Sequence, residues 1–307
     1  MPTKRTETAR PRAIGLVAPS GYLPKMQIAD RAARFFAQRG WRVQAGESVF
    51  AREQRFAGSD DLRAMDLQGF ATDRSLDVVL AARGGYGLSR ILTRLDYVAI
   101  ARAGRILVGY SDFTAFSLAL LAKAGAISFQ GPAASDFAAE QPNAFTVDQF
   151  FATIGNRRHA LKFDTDSGDL AVRGKLWGGN LAMVCALAGT PFFPSIRGGI
   201  LFLEDVNEPA YGIERMLIQL LHAGVLQRQR AILLGSFEPV TPMPNDNGFG
   251  VEAAVAYLRS AVPVPIVRGL PFGHVARKAT LPVGAAARLV IGGGVAELSF
   301  TGHPTLT

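Results

Sequence analysis

Cysteine is almost missing from this chain of 307 residues, and histidine is rare. The single thiol, Cys185, has no partner for an internal disulfide, and its apolar setting in LAMVCALAG predicts a buried structural side chain rather than a nucleophile. The four histidines form no closely spaced pair, and there is no HExxH motif. We therefore expect neither thiol nor zinc chemistry, and no metal or other cofactor is indicated.

Long apolar segments are missing as well. No window approaches the roughly 18 consecutive apolar residues of a membrane-spanning helix. The first ten residues, MPTKRTETAR, are polar and basic, and the apolar segment of a signal peptide does not follow them. These absences predict a cytoplasmic protein with a short frayed N-terminus and no membrane partner.

Basic residues outnumber acidic ones, 33 against 25, which gives a formal net charge of +8. The arginines are scattered singly, without a long basic block or the motif of a zinc finger, a helix-turn-helix or an RNA-binding domain. We expect no specific nucleic-acid partner. The surplus charge fits an anionic small substrate but does not identify one.

Strand and helix patterns alternate through the first half of the chain. Apolar runs such as AIGLV, LDVVL and RILVG are followed by helical patterns such as FTAFSLALLAKAG. This alternation predicts a parallel sheet covered by helices on both faces, with a ligand site beyond the carboxyl ends of the strands. The AARGGYG and VGYSD turns lie at such ends.

The second half is richer in short strands and turns, with strand patterns in GGILFLEDV, RAILLGSFEPV, VPIVRGLPFG and ARLVIGGGVAELSF. A segment of mixed charge separates the two halves and is typical of a crossover between domains. We predict a parallel-sheet domain over residues 1–156, a linker over 157–171 and a smaller strand-rich α/β domain over 172–307.

Ser111 stands where an apolar strand gives way to a helix, in ILVGYSDFTAF. A nucleophile gains from such a turn, because its hydroxyl is lifted above the sheet while the next backbone N–H and the helix start face a developing oxyanion. The GxSxG signature is only half met, since Phe113 takes the place of the second glycine. A serine that merely caps the helix is the alternative interpretation.

A second turn, AARGGYG, follows the strand LDVVL. Adjacent Gly84 and Gly85 allow a ligand to approach the backbone closely and offer unpaired N–H groups. The spacing matches neither GxGxxG nor a P-loop, which argues against a nucleotide site. The turn is either a second oxyanion donor beside Ser111 or an ordinary strand-to-helix connection.

A base and its carboxylate are expected in the second half. A serine needs a histidine with a pKa near neutrality, and the histidine needs a hydrogen-bonded carboxylate. His274 follows a constrained PFG turn, while Glu204 and the adjacent Asp205 end an apolar strand at the rim of the sheet. The other three histidines lie in the linker, late in a helix and in the terminal tail: His159, His222 and His303.

Taken together, these segments resemble the LD-carboxypeptidase family, which includes muramoyl-tetrapeptide carboxypeptidases and microcin-immunity hydrolases. Six segments match in family order: VAPSG, ARGGYG, LVGYSDFTA, GKLWGGNLAMVCALAGTPF, LFLEDVNEPAYGIERML and GLPFGHVARKATLPVG. The resemblance implies a flavodoxin-like or class I amidotransferase-like first domain, a smaller second domain, an active site between them and a homodimer.

The resemblance also implies a catalytic triad. The nucleophile of the family falls on Ser111, its glutamate on Glu204 rather than Asp205, and its histidine on His274. The implied reaction is hydrolysis of the L,D-amide between a diamino acid and the terminal D-alanine of murein tetrapeptide, through an acyl-enzyme, in peptidoglycan recycling. An immunity-type hydrolase that cuts a peptidyl-nucleotide antibiotic, or a non-catalytic muropeptide-binding module, remains the alternative.

The remaining site residues follow from the same resemblance. The oxyanion donors fall on the backbone N–H groups of Asp112 and Gly85, with Gly84 as the alternative. A carboxypeptidase must also hold a free carboxylate, for which arginine or lysine is the physical requirement. The residues near the motifs that would bind this carboxylate or line the cleft, each of which also fits a structural role, are Arg83, Arg215, Lys278, Tyr86, Trp177 and Asn180.

Overall fold

The structure, a computed structural model, describes residues 10–306 and contains two β-sheets with helices packed around them. The frayed N-terminus predicted for the first ten residues therefore lies, except for Arg10, outside the described residues. Between residues 10 and 306, no helix combines the length and the apolar character needed to cross a bilayer.

The strands are β1 (Ala13–Val17), β2 (Arg42–Ala45), β3 (Val78–Ala81), β4 (Ile106–Gly109), β5 (Ser128–Gln130), β6 (Arg158–Asp164), β7 (Leu170–Asn180), β8 (Ile200–Val206), β9 (Ala231–Glu238), β10 (Ile266–Val267), β11 (Leu281–Val283), β12 (Ala286–Gly292) and β13 (Val295–Thr301). The α-helices are α1 (Gln27–Ala37), α2 (Asp60–Thr72), α3 (Leu88–Ile91), α4 (Tyr97–Ala103), α5 (Phe113–Ala124), α6 (Ala134–Phe137), α7 (Ala144–Gly155), α8 (Leu181–Leu187), α9 (Ala210–His222) and α10 (Val251–Ala261).

The first sheet has the strand order β11-β5-β4-β3-β1-β2. Strands β1 to β5 pair in parallel, and only β11 runs antiparallel, against β5. Every residue of β1, β3 and β4 is buried, because the sheet lies between one apolar cluster that includes α2 and α5 and another that includes α1 and α7. The predicted parallel sheet covered on both faces is confirmed.

The second sheet has the strand order β10-β9-β8-β7-β12-β13-β6. Strands β10, β9, β8 and β7 pair in parallel and form one half of this sheet. Strands β7, β12, β13 and β6 pair antiparallel and form the other half. In the antiparallel half, side chains alternate between a buried face and a face open to solvent. The chain is thus a mixed α/β protein with two sheets, as predicted at that level.

Two strands, β6 and β11, depart from the simple division into a first domain, a linker and a second domain. The stretch 157–171, expected to be a linker, holds β6, because Leu161 and Phe163 alternate with outward polar residues and bury themselves in the second sheet. Strand β11, in turn, belongs to the first sheet although it comes late in the chain. The segment that carries His274 therefore begins in one sheet, at β10, and ends in the other, at β11.

The two sheets meet where β7 ends beside the start of α5. The Asn180 backbone N–H donates to Thr114 Oγ1 at 3.0 Å, and Gly179 leaves no room for a side chain against Thr114. This contact places the carboxyl ends of the parallel strands of the second sheet next to the turn after β4.

Candidate active site

Ser111 occupies the sharp turn between β4 and α5, with φ of 62°. A residue with a side chain rarely adopts this left-handed conformation, and such strain clusters at functional sites. Among the described residues, the Ser111 hydroxyl has no hydrogen-bond partner, and no side chain caps the start of α5. The helix-cap interpretation of this hydroxyl is therefore not what the structure shows.

The turn of Gly84 and Gly85 lies directly against Ser111. A Cβ on Gly84 would lie 2.6 Å from Ser111 Cβ and 2.8 Å from its Oγ, so a side chain there would displace the serine. Gly85 adopts φ of 114°, a conformation in which a side chain is strained. In the part of the chain that the structure describes, the backbone N–H groups of Gly85 and Asp112 donate no hydrogen bond, which leaves both free to meet an oxyanion.

The Asp112 carboxylate connects the turns around Ser111 by hydrogen bonds. Its Oδ2 accepts from the Ser20 hydroxyl at 2.6 Å and from the Leu88 backbone N–H at 2.9 Å. Ser20 belongs to the VAPSG turn after β1, and Leu88 begins α3 after the double-glycine turn. Burial raises the pKa of Asp112, although these hydrogen bonds and the Arg63 guanidinium oppose the shift.

Glu204 and His274 form a hydrogen-bonded pair beside this turn. His274 Nδ1 lies 2.8 Å from Glu204 Oε2, and the glutamate side chain is fully buried. The β8–β9 register is irregular at Glu204, a feature that re-aims side chains near active sites. A Cβ added to Gly235 or to Gly273 would lie 3.4 Å from Glu204 Cβ. Gly273 also has φ of 139°, so the turn before the histidine requires glycine.

Asp205, the acidic residue next to Glu204, contacts the start of α8 and not the histidine. Its carboxylate accepts from Asn180 Nδ2 at 3.0 Å and from the backbone N–H of Ala182 at 2.8 Å, and so anchors the start of α8. Burial is the main cause that raises the pKa of Asp205. Of the two adjacent carboxylates, Glu204 alone contacts the histidine.

The imidazole of His274 also packs against Tyr110, the residue before Ser111. The two ring centroids are 5.1 Å apart in an edge-on arrangement. On the same tyrosine ring sits the ammonium of Lys278, 3.8 Å from the centroid and 2.7 Å from Asp136 Oδ1. The structure therefore places the Glu204–His274 pair against the residue that precedes Ser111, and it shows no hydrogen bond between His274 and the Ser111 hydroxyl among the described residues.

The residues predicted to bind substrate lie in more varied surroundings. The Lys278 side chain is buried in its pair with Asp136, and Trp177 is buried with its indole N–H donating to Gln229 at 3.0 Å. The Asn180 side chain caps α8 and contacts Asp205. The three nearer the surface are Tyr86, Arg83 and Arg215.

Arg83 is a cation beside the double-glycine turn. Its Nη1 donates to the Tyr22 carbonyl at 2.9 Å, and a Cβ on Gly85 would lie 3.8 Å from its Nη2. Arg215 is exposed on α9, and Tyr86 is 40 % exposed with its ring 6.0 Å from that of Phe56.

Sequence reasoning missed the buried polar residues that brace these turns. Arg63 is fully buried on α2, where it pairs with Asp60 and donates to the carbonyls of Pro19 at 2.6 Å and Gly87 at 3.0 Å. A helical arginine usually reads as a solvated side chain, so local sequence carries no signal of this role. The Ser20 contact lay within the quoted VAPSG motif and could have been suspected from it.

The prediction of a buried thiol is confirmed. Cys185 is free and buried, and burial raises the pKa of its thiol to about 12, far from the range of a reactive thiolate. Over residues 10–306, no group of three or more histidine, cysteine, aspartate or glutamate side chains is placed to hold a metal ion.

Fold and site define an α/β peptidase of the serine type. The model of the LD-carboxypeptidase N-terminal domain matches residues 14–131, and that of the LD-carboxypeptidase C-terminal domain matches residues 173–289. The chain belongs to the LD-carboxypeptidase family, which confirms the resemblance drawn from the six motifs.

Similar proteins agree with this membership. A putative carboxypeptidase of Streptomyces coelicolor is 36% identical over 289 residues, which cover 90% of this chain and 89% of that protein. The crystal structure of a muramoyltetrapeptide carboxypeptidase from Oxalobacter formigenes is 42% identical, with a TM-score of 0.90, and the match covers 95% of this chain and all of that one. The microcin C7 self-immunity protein MccF shares the fold at 22% identity, with a TM-score of 0.85 over 97% of this chain and 98% of that one.

Proposed function

We propose that this chain removes the terminal D-alanine from murein tetrapeptide by cutting the L,D-amide that follows the diamino acid. The observation that carries the proposal is the 2.8 Å hydrogen bond between His274 and the fully buried Glu204, beside a strained serine on a strand-to-helix turn. Family membership and the likeness to a muramoyltetrapeptide carboxypeptidase at 42% identity support the substrate class.

The reaction proceeds through an acyl-enzyme. Because Nδ1 of His274 is held by Glu204, Nε2 is the nitrogen that takes the Ser111 hydroxyl proton. Oγ then bonds to the carbonyl carbon, and the imidazolium passes the proton to the amide nitrogen as the C–N bond breaks and D-alanine leaves. Water, deprotonated by the same imidazole, attacks the ester, and Ser111 recovers its proton.

The backbone supplies the oxyanion hole. The free N–H groups of Asp112 and Gly85 are the proposed donors, with Gly84 as the alternative within the same turn. Loss of one such donor typically lowers turnover by about a hundredfold to a thousandfold. The Asp112 carboxylate, bonded to Ser20 and Leu88, would hold these turns in register while charge develops.

The free carboxylate of the substrate needs a cation near the oxyanion turn. Lys278 is paired with Asp136, and Arg215 lies exposed on α9. The guanidinium of Arg83 borders Gly85, and within residues 10–306 its one hydrogen bond goes to a backbone carbonyl. We assign the carboxylate to Arg83. Arg83→Ala should raise KM for the tetrapeptide more than it lowers kcat, and Arg215→Ala, the matched control, should change neither; equal effects in both variants would contradict the assignment.

A flavodoxin-like first domain is part of the proposal. With β11 set aside, the order β5-β4-β3-β1-β2 of the parallel strands is the 2-1-3-4-5 order of that fold class, which supports it. We further propose a division near residues 156 and 171, action in the cytoplasm on recycled peptidoglycan, and a homodimer. Sedimentation or light scattering of the purified chain would test the dimer.

Release of D-alanine is the decisive measurement. The purified protein is incubated with murein tetrapeptide, and the peptide mass is followed by mass spectrometry. Conversion to tripeptide by the wild type and its loss in Ser111→Ala, with the thermal unfolding of the variant unchanged, would support the proposal. Absence of conversion by the folded wild type would contradict it and favour a non-catalytic muropeptide-binding module.

The immunity-type reaction is the second candidate, because MccF shares this fold. It would use the same serine, histidine and glutamate on the amide of a peptidyl-nucleotide. Parallel assays with a peptidyl-nucleotide amide and the tetrapeptide separate the two, since the ratio of kcat/KM values names the preferred substrate.

A further inference from the structure

A cavity of about 950 Å³ lies on the second sheet, and its polar walls are almost entirely cationic. Six basic side chains line it, and no carboxylate or aromatic side chain does. Those six are Arg158, Arg173, Lys175, Arg197, Arg230 and Arg288. We call this the basic cavity.

The floor of the basic cavity follows from strand register. On the solvent face of the antiparallel half, Arg173 stands opposite Arg288, and Arg288 stands opposite Ser299. In the adjacent row, Lys175 and Arg158 flank Ala286 and Thr301. The small residues Ala286, Ser299 and Thr301 therefore lie on the two inner strands between the cations of β7 and β6. Arg288 is on one of these inner strands, and the space beside the small residues leaves room for a ligand.

Two more cations arrive from loops that precede parallel strands. Arg197 comes before β8 and Arg230 before β9, and the two loops are joined by hydrogen bonds between Gly198 N–H and the Arg228 carbonyl and between Arg230 N–H and the Gly199 carbonyl. Glu204 lies roughly 15 Å further along β8, at its carboxyl end. The basic cavity is thus at the opposite end of the strands from the candidate active site.

None of the six cations is neutralised within residues 10–306. All six are exposed, and none takes part in an ion pair or donates a side-chain hydrogen bond there. Elsewhere on the same face, Lys162 pairs with Glu297 at 3.4 Å, so acids are present where charges are balanced. A concentration of unpaired like charges is unfavourable unless an anion joins it.

We infer that the basic cavity binds a small oligophosphate, a ligand with several closely spaced phosphate groups. Arginine forks match phosphate oxygens in bidentate fashion, and one ligand with many charges satisfies several cations at once. The lack of aromatic lining argues that phosphate, and not a stacked base, is the recognised group. Two copies of this surface would repel each other, which argues against a symmetric dimer through it.

The test measures binding of inorganic tripolyphosphate to the full chain by calorimetry at physiological salt. We expect saturable one-to-one binding, at least tenfold weaker in the double variant Arg173→Ala/Arg288→Ala. The control double variant Lys162→Ala/Arg259→Ala removes two exposed cations outside the cavity, each paired with an acid, and should bind within twofold of the wild type. Binding should persist in Ser111→Ala, so the result does not depend on the proposed peptidase activity.

Four outcomes would overturn the inference. These are no saturable binding of tripolyphosphate, equal competition by sulfate at the same concentration, equal weakening in both double variants, and tighter binding of a DNA duplex or of phosphatidylserine vesicles than of tripolyphosphate. The last result would assign the surface to a macromolecular polyanion instead. Because both double variants replace exposed side chains, their thermal unfolding should match that of the wild type.

Discussion

Adding one methyl group at Gly84 should disable the proposed nucleophile without unfolding the protein. The new Cβ would lie 2.6 Å from Ser111 Cβ and 2.8 Å from its Oγ, where ordinary carbon contacts are about 3.5 Å. The backbone of Gly84 does not have positive φ, so alanine meets no conformational strain there. The clash is therefore relieved by displacement of the serine, by about 0.9 Å.

Catalysis is sensitive to displacements of that size. A misplacement of about 1 Å typically costs on the order of a hundredfold in rate, so Gly84→Ala should lower kcat/KM for tetrapeptide by about that factor. The assay is initial-rate release of D-alanine, with urea unfolding of the same preparation as the folding check. The matched control is Gly69→Ala on α2, where nothing lies within 4 Å of the added Cβ.

The control should keep full activity and gain up to about 1 kcal/mol in the free energy of unfolding, since alanine favours helix over glycine. A Gly84→Ala variant that folds and retains kcat/KM within twofold of the wild type would refute the reasoning. It would mean that the serine and the double-glycine turn are not held rigidly against each other.

The remaining predictions concern buried charges. Glu204→Gln should lower kcat by about 10⁴, because the amide cannot stabilise an imidazolium. The control Glu214→Gln on α9 should leave kcat unchanged. Similar rates of D-alanine release in both variants would remove Glu204 from the proposed triad. Lys278→Met should lower the free energy of unfolding, measured in urea, by about 3 kcal/mol, because Asp136 is left without its partner. Adding Asp136→Asn should restore much of that stability. No restoration would contradict the view that the Lys278–Asp136 ion pair is the source of the loss. Burial lowers the pKa of His303 in the folded protein. As pH falls below about 6.5, the unfolded chain therefore takes up a proton on this histidine more readily than the folded chain does, and the wild type should lose stability. His303→Gln should flatten that loss in urea unfolding between pH 7.5 and 5.5, and identical slopes would exclude the histidine as its source.

Long periodic elements could be predicted from the sequence, and the strand-turn-helix around Ser111 is the clearest case. An apolar run, a glycine and a helical run predicted β4 and α5. The AARGGYG and VGYSD turns lie at the ends of predicted strands, and this position predicted that the two turns lie close together. Strand β6 was missed because its charged outward residues resemble a linker, and only pairing with β13 reveals Leu161 and Phe163 as core residues.

Three-residue strands and buried cations are decided by tertiary structure. Strand β11 contains Pro282, and nothing in LPV specifies that it pairs with β5, which is distant in the chain. Lys278 was one candidate for binding the substrate carboxylate, with a structural role as the alternative. Its burial beside Asp136 depends on contacts between distant segments. For the same reason, closeness to a motif in the sequence does not identify the cation that faces the substrate.

The segment between β10 and β11 has mechanical consequences. It leaves the second sheet at Val267, carries His274, and enters the first sheet at Leu281, where antiparallel pairing with β5 holds it. The histidine therefore lies on a connection that is held at one end by the second sheet and at the other end by the first. A proteolytic cut on either side of His274 within this connection would leave the histidine held by one sheet alone, with the strand pairing of both sheets intact.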